Sequence, residues 1–209
     1  MEDVLDVYQR PYDPTLPVVC IDEKSKELRD TPAGSIPAEP GRPERIDYEY
    51  ERNGTANIFL WTEPHTARTN VRVTKQRTAC DFAEQLRRLV DVHYPDSERV
   101  ALVCDNLNTH SPAALYERFE PAEARRIAQR LEWHYTPEHG SWLNIAEIEL
   151  SVLSRQCLAR RIADMDTLAS EVAAWQQRNN SGSKKVNWHF TTADARTKLR
   201  RLYPQVTRL

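Results

Sequence analysis

The sequence predicts an α/β fold, a mixed central sheet flanked by helices. Three observations predict it. Short apolar runs at 17–22 and 99–105 read as buried strands, bounded by proline and charged residues, and 131–135 reads as another strand. Segments with apolar residues at helical spacing lie between and after those runs. An alternating, aromatic-rich segment at 46–61 comes before the first long helix, so an antiparallel pair precedes the strand–helix alternation.

The elements follow in order. Residues 1–16 are polar, carry Pro11 and Pro14, and read as a lead-in arm. The segment 30–44, with four prolines and two glycines, reads as an irregular loop. Asn53-Gly54 supplies the two positive-φ residues of a type I′ turn, so 46–61 reads as a hairpin. Residues 71–74 form a further strand, and Phe82, Leu86, Leu89, Val90 and Tyr94 mark a helix over 79–94. Pro112 and Pro121 each open a short helix, the second running to about residue 131. Longer helices are expected over 144–159 and 165–178, then a polar, flexible link over 179–185 and a last helix over 192–202. The domain reading is an arm at 1–16, one folded domain at 17–178 and a basic tail with a short helix at 179–209.

Composition narrows the function. The chain has 209 residues, 40% of them hydrophobic and 29% charged, enough to bury one sizeable core. There is no run of eighteen apolar residues, and Met1 is followed by Glu2 and Asp3, so neither a membrane span nor a secretory signal is expected. The cysteines, at 20, 80, 104 and 157, lack the paired spacing of a zinc site and the density of a disulfide scaffold. The chain therefore reads as a reduced, intracellular protein.

Net charge is −2, which by itself argues against a nucleic-acid partner. Its distribution argues the other way. Residues 66–78 carry a local +4, including Arg72 and Lys75, and residues 176–209 a local +7, including Lys184, Lys185, Arg200 and Arg201. These six are the candidate DNA-contacting residues, the C-terminal group being the denser and the better suited to tracking phosphates.

Two of the apolar runs end in aspartate, at Asp22 and Asp105, and functional groups gather where buried strands emerge in α/β sheets. A half-desolvated carboxylate there needs a partner or a cation. Glu147, at the start of a helix, is a third. Three such carboxylates suit two Mg²⁺ ions, since hard cations take oxygen ligands. Each has a structural alternative: either Asp as a turn former, and Glu147 as the reciprocal arm of a capping box begun by Asn144. Glu149 is a rival third ligand, but lies about 200° around the helix from Glu147.

The order and neighbours of these carboxylates resemble the catalytic domain of bacterial insertion-sequence transposases of the Tc/mariner superfamily, the DDE endonucleases. The resemblance is carried by Ile21-Asp22-Glu23-Lys24-Ser25, by Cys104-Asp105-Asn106 with Thr109-His110, and by Thr136-Pro137-Glu138 leading through Ser141-Trp142-Leu143-Asn144 to Glu147. The loop from Pro40, the segment 47–55 and Trp188-His189-Phe190 continue it over roughly 17–200. It implies a ribonuclease H-like fold and Mg²⁺-dependent strand cleavage at transposon ends, Mn²⁺ substituting, followed by transfer of the 3′ end into target DNA. Asp22, Asp105 and Glu147 become metal ligands and catalytic residues; Asn106, His110 and Asn144 stand behind them. Double-stranded DNA is the implied partner, with a homodimer to bring two ends together and a cytoplasmic, nucleoid-associated location in a bacterium.

The family also places helix-turn-helix domains ahead of this region, and sixteen residues before the first strand are too few for one. The expectation is a catalytic fragment, a split-frame product served by a separate helix-turn-helix chain, or a truncated remnant. The alternative to an active transposase is thus an idle remnant that at most binds DNA or a partner. A resolving nuclease or ribonuclease H of the same fold lacks support from the Ser-Trp-Leu-Asn lead.

Overall fold

The computed structural model describes residues 1–203 apart from 33, 44, 47, 139, 183–185 and 187. The chain runs α1 (Glu2–Tyr8), β1 (Val18–Asp30), the two-residue strands β2 (Ser35–Ile36) and β3 (Arg45–Ile46), β4 (Glu51–Glu63), β5 (Arg68–Thr74) and α2 (Ala79–Arg88). It continues through β6 (Val100–Cys104), α3 (Ala113–Arg118), α4 (Pro121–Gln129), β7 (Leu131–Tyr135), α5 (Ile145–Leu153), α6 (Met165–Gly182) and α7 (Thr192–Lys198). Five strands make the main sheet in the order β5-β4-β1-β6-β7. The β5-β4-β1 half is antiparallel, and β1-β6-β7 is parallel. Helices cover both faces, giving the mixed sheet expected and a ribonuclease H-like architecture.

Alternation along β1 divides the core. Val18 and Cys20 face a layer built by α1, α5, α6 and α7, whereas Val19 and Ile21 face α2, α3 and α4. All five residues of β6, held between β1 and β7, are buried, which is why its sequence is a continuous apolar run.

Three local expectations are corrected. The Asn53-Gly54 pair makes no hairpin turn: it lies inside the continuous strand β4. The β1–β4 register slips there, between Glu27↔Thr55 and Arg29↔Arg52, so two residues oppose Leu28. Gly54, at φ +96°, supplies the left-handed residue of this bulge, and the Asn53 amide caps the Ala163 carbonyl at 3.1 Å. Residues 2–8, read as an arm, are α1, with Val4, Leu5 and Val7 fully buried. Their spacing covers one helix face, and Tyr8 packs on Trp188 at 4.9 Å between centroids.

The third correction concerns 179–182. Asn179 and Asn180 belong to the last turns of α6 rather than to a flexible link; 183–185 lie outside the described residues. Asn180 treats β5 as a neighbouring strand would. Its Oδ1 accepts from Thr69 N at 2.9 Å and its Nδ2 donates to Thr69 O at 2.8 Å. Gln176 accepts from Val71 N at 2.7 Å. These amides satisfy an edge strand that would otherwise expose its backbone. Among the described residues no helix is long and apolar enough to cross a membrane.

Candidate metal centre

Parallel pairing brings the first two carboxylates near each other. Cys20↔Val103 is the last pair of the β1–β6 register, and Asp22 within β1 and Asp105 just past β6 each follow it by two residues. Thr136 N donates to Cys104 O at 3.0 Å, carrying the β6–β7 ladder one step further and starting the 136–141 loop beside Asp105. Asp105, Asn106, Leu107, Thr136, Pro137 and Ser141 line a groove of about 350 Å³. Gly140 permits the tight turn closing this loop: a Cβ there would lie 2.5 Å from Pro137 Cγ.

The two aspartates differ electrically. Burial, followed by the charges of Glu23 and Asp105, pushes Asp22 up to about 7. Its Oδ1 accepts from Glu23 N at 2.7 Å. A hydrogen bond from His110 Nδ1 holds Asp105 below the usual carboxylate range against its partial burial. Burial opposes charge on the His110 imidazole, but its bonds to Asp105 and Glu23 outweigh it and raise the ring to about 9. Phe82 lies 4.2 Å from that ring, centroid to centroid, at 31°.

The third carboxylate comes from α5, and Asn144 decides how. Asn144 caps the helix by accepting from Ala146 N at 3.1 Å, but the capping box expected with Glu147 does not form. Asn144 N already donates to Ser141 O at 2.7 Å in the preceding 3-10 turn, so Glu147 has no donor to reach back to. Its side chain is released to solvent at the first turn of α5. The fully buried Asn144 also donates from Nδ2 to Ile21 O at 3.0 Å, tying the start of α5 to the strand residue before Asp22. Tyr8 adds a second tie, donating to Leu143 O at 2.6 Å. Glu149 faces α6 instead, where Asn179 donates to it at 3.3 Å and burial raises its pKa.

The donor chemistry suits a hard divalent cation. Asp22 is a partly buried carboxylate with two further carboxylates near it and His110 as the cation that offsets them. A divalent ion would relieve both the desolvation and the like-charge repulsion. Among the described residues, no three His, Cys, Asp or Glu side chains converge closely enough to form a ready-made metal cage.

The remaining candidates separate. Asn106 is exposed at the groove, while His110 and Asn144 are buried behind it. Arg72 is exposed on β5 and Lys75 just past its end, at one sheet edge; Arg200 and Arg201 are exposed after α7, which packs on α1 beside β7 at the other. The fold does not bring the two basic groups together. Lys184 and Lys185 lie outside the described residues. Glu23, although part of the first motif, had no role assigned from sequence. Its signal was present: the alternation Val19, Ile21, Glu23 puts a carboxylate on a core-facing row.

The family model described as "DDE superfamily endonuclease" matches residues 17–169. The Mos1 strand transfer complex superposes with a TM-score of 0.53 at 17% identity, covering 87% of this chain and 52% of that one. The Mos1 paired-end complex with the left transposon end gives 0.49 at 18% identity, covering 87% and 52%. A simian T-cell lymphotropic virus intasome gives 0.49 at 12%, covering 93% and 58%. The chain thus spans about half the length of the solved chains it resembles. No curated protein matches it.

Proposed function

The chain belongs to the DDE superfamily endonucleases, and on that premise we propose that it is a transposase catalytic domain whose metal ligands are Asp22, Asp105 and Glu147. The observation that carries this reading is that Asp22 and Asp105 each lie two residues beyond the last β1–β6 pair, with the Glu147 helix tied to β1 through Asn144. Mg²⁺, with Mn²⁺ as substitute, would supply activation of the attacking oxygen and stabilisation of the leaving oxyanion.

The chain's own groups do the rest. The three carboxylates would hold the ions, and Asn106 at the rim of the groove donates to a phosphate oxygen or a base edge. Arg72 and Lys75 on one side and Arg200 and Arg201 on the other, together with Lys184 and Lys185, track the phosphates of double-stranded DNA. Cleavage at a transposon end and transfer of that end into target DNA is the activity proposed. A second copy of the chain, pairing two ends, and a helix-turn-helix domain on this or a separate chain complete the assembly, in the bacterial cytoplasm beside the nucleoid.

Nicking and strand transfer on short duplexes in Mg²⁺ or Mn²⁺, wild type against Asp105→Ala, tests it. Metal-dependent activity lost in the variant supports the proposal; activity that survives the substitution overturns the ligand assignment.

A further inference from the structure

Glu23 directly follows Asp22, so its side chain leaves β1 on the opposite face, in the row of its β4 partner Phe59. That side chain is only 4% exposed. A carboxylate at that depth costs several kcal/mol unless opposite charge faces it, on the order of the penalty for any buried ion. The facing groups are His110, whose Nε2 lies 2.9 Å from Glu23 Oε2, and Arg77, whose Nη1 lies 3.4 Å from Oε1.

His110 is itself 1% exposed and held on every side. Its backbone N donates to Leu107 O at 2.8 Å, its ring lies against Phe82, and its Nδ1 bonds Asp105 Oδ1. The imidazole therefore spans from one strand's carboxylate to the other's. A return path runs through the backbone, where Glu23 N donates to Asp22 Oδ1 at 2.7 Å. Asp22, Glu23, His110 and Asp105 thus form one chain of contacts between the two aspartates: hydrogen bonds at Asp22–Glu23 and His110–Asp105, and a charge pair at Glu23–His110.

We propose that Glu23 is a positioning residue: acting through His110, it fixes the orientation of the Asp105 carboxylate so that its second oxygen is presented beside Asp22. The inference rests on the reading of Asp22 and Asp105 as metal ligands, and goes beyond it by giving Glu23 a role and His110 a direction. A surface carboxylate would not serve, because its side chain would not be held. Outer partners of this kind typically change metal affinity about 10- to 100-fold when removed.

The test uses the full chain and Mn²⁺ alone, titrated by the electron paramagnetic resonance of the free ion, in wild type, Glu23→Gln, Glu23→Met and Asp105→Ala. Glu23→Gln keeps an oxygen facing His110 Nε2; Glu23→Met keeps the volume and removes the acceptor. The expected result is affinity within about threefold of wild type for Glu23→Gln and a loss of about 10- to 100-fold for Glu23→Met. Wild-type affinity in Glu23→Met, with Mn²⁺ binding lost in Asp105→Ala, overturns this inference and leaves the metal site standing. Wild-type affinity in Asp105→Ala removes the metal site, and the inference with it. A readout without metal accompanies these: ¹⁵N NMR of the His110 ring should shift in metal-free Glu23→Gln, and an unchanged ring spectrum overturns the coupling even where Glu23→Met does not fold.

Discussion

Asn144 donates its side-chain amide to the carbonyl oxygen of Ile21 at 3.0 Å, 123 residues away in sequence, while its own oxygen caps α5. One buried side chain thereby sets both where the helix begins and how far its first turn stands from Asp22. The β1–β6 ladder ends at Cys20, so the Ile21 carbonyl finds in Asn144 the partner a buried acceptor requires.

This gives the amide nitrogen a distinct role. Asn144→Ala should cost about 2–4 kcal/mol, combining the loss of a cap with an unsatisfied buried carbonyl. Asn144→Asp keeps the cap oxygen but sets a carboxylate against the Ile21 carbonyl, so it should be at least as damaging at neutral pH. Urea denaturation of the two variants checks this; a near-wild-type midpoint for Asn144→Asp would remove the donor role.

The helix at the start of the chain is predicted to be part of the fold. Leu5, fully buried, should cost about 2–5 kcal/mol when cut to alanine. Tyr8→Phe, which removes the bond to Leu143 O, should cost about 1–2 kcal/mol. Denaturation midpoints unchanged in both would show α1 to be dispensable.

A pH effect should arise at His93, away from the metal centre. Burial, followed by the charges of Arg68 and Arg88, lowers its pKa from 6.5 to about 4, and its ring packs edge-on against Trp61. Between those values the unfolded chain binds the proton more readily. The stabilising contribution is therefore complete above pH 6.5 and is lost as the pH falls towards 4. After screening at this half-buried site, the effect is on the order of 1 kcal/mol. Stability measured at pH 7.5 and 5 should fall less in His93→Gln than in wild type; equal losses would contradict the assignment.

Arg200 and Arg201 offer a test of the tail that leaves the fold alone. Truncation after Asn180 would uncover α1, because Trp188 and α7 pack on it. Arg200→Ala with Arg201→Ala should instead weaken DNA binding and lower the salt slope by roughly one for each phosphate that loses its neutralising cation. An unchanged slope would place the DNA elsewhere.

How legible all this was in the sequence depended on whether a feature is local. The buried strands β1, β6 and β7 were readable because runs such as Val100–Cys104 have one environment throughout. Asp105 was readable just past the end of β6, but Asp22, expected to end a strand, lies inside β1, which continues to Asp30 because its pairing with β4 outlasts its pairing with β6. Asn53-Gly54 was misread because positive φ serves a bulge as well as a turn, and the pairing with β1 that decides between them lies across the intervening segment. Asn144 and Glu147 spelled a capping box, and only the 3-10 turn donating Asn144 N to Ser141 undid it. The buried face of α1 is four residues long, too short to stand out without its partners Trp188 and Leu143. Glu23 was not legible because its burial depends on His110 and Arg77, both distant in sequence, which the local pattern does not show.

Glu147, released from capping, is the proposed third metal ligand beside Asp22 and Asp105. The most direct measurement is Mn²⁺-dependent nicking of duplex DNA by Glu147→Gln beside Glu149→Gln, two carboxylates on one helix with opposite surroundings. The account predicts a loss of at least about 100-fold for Glu147→Gln, the scale of removing a group that stabilises the transition state, and activity within a few-fold of wild type for Glu149→Gln. The reverse order, or full activity in Glu147→Gln, would contradict it.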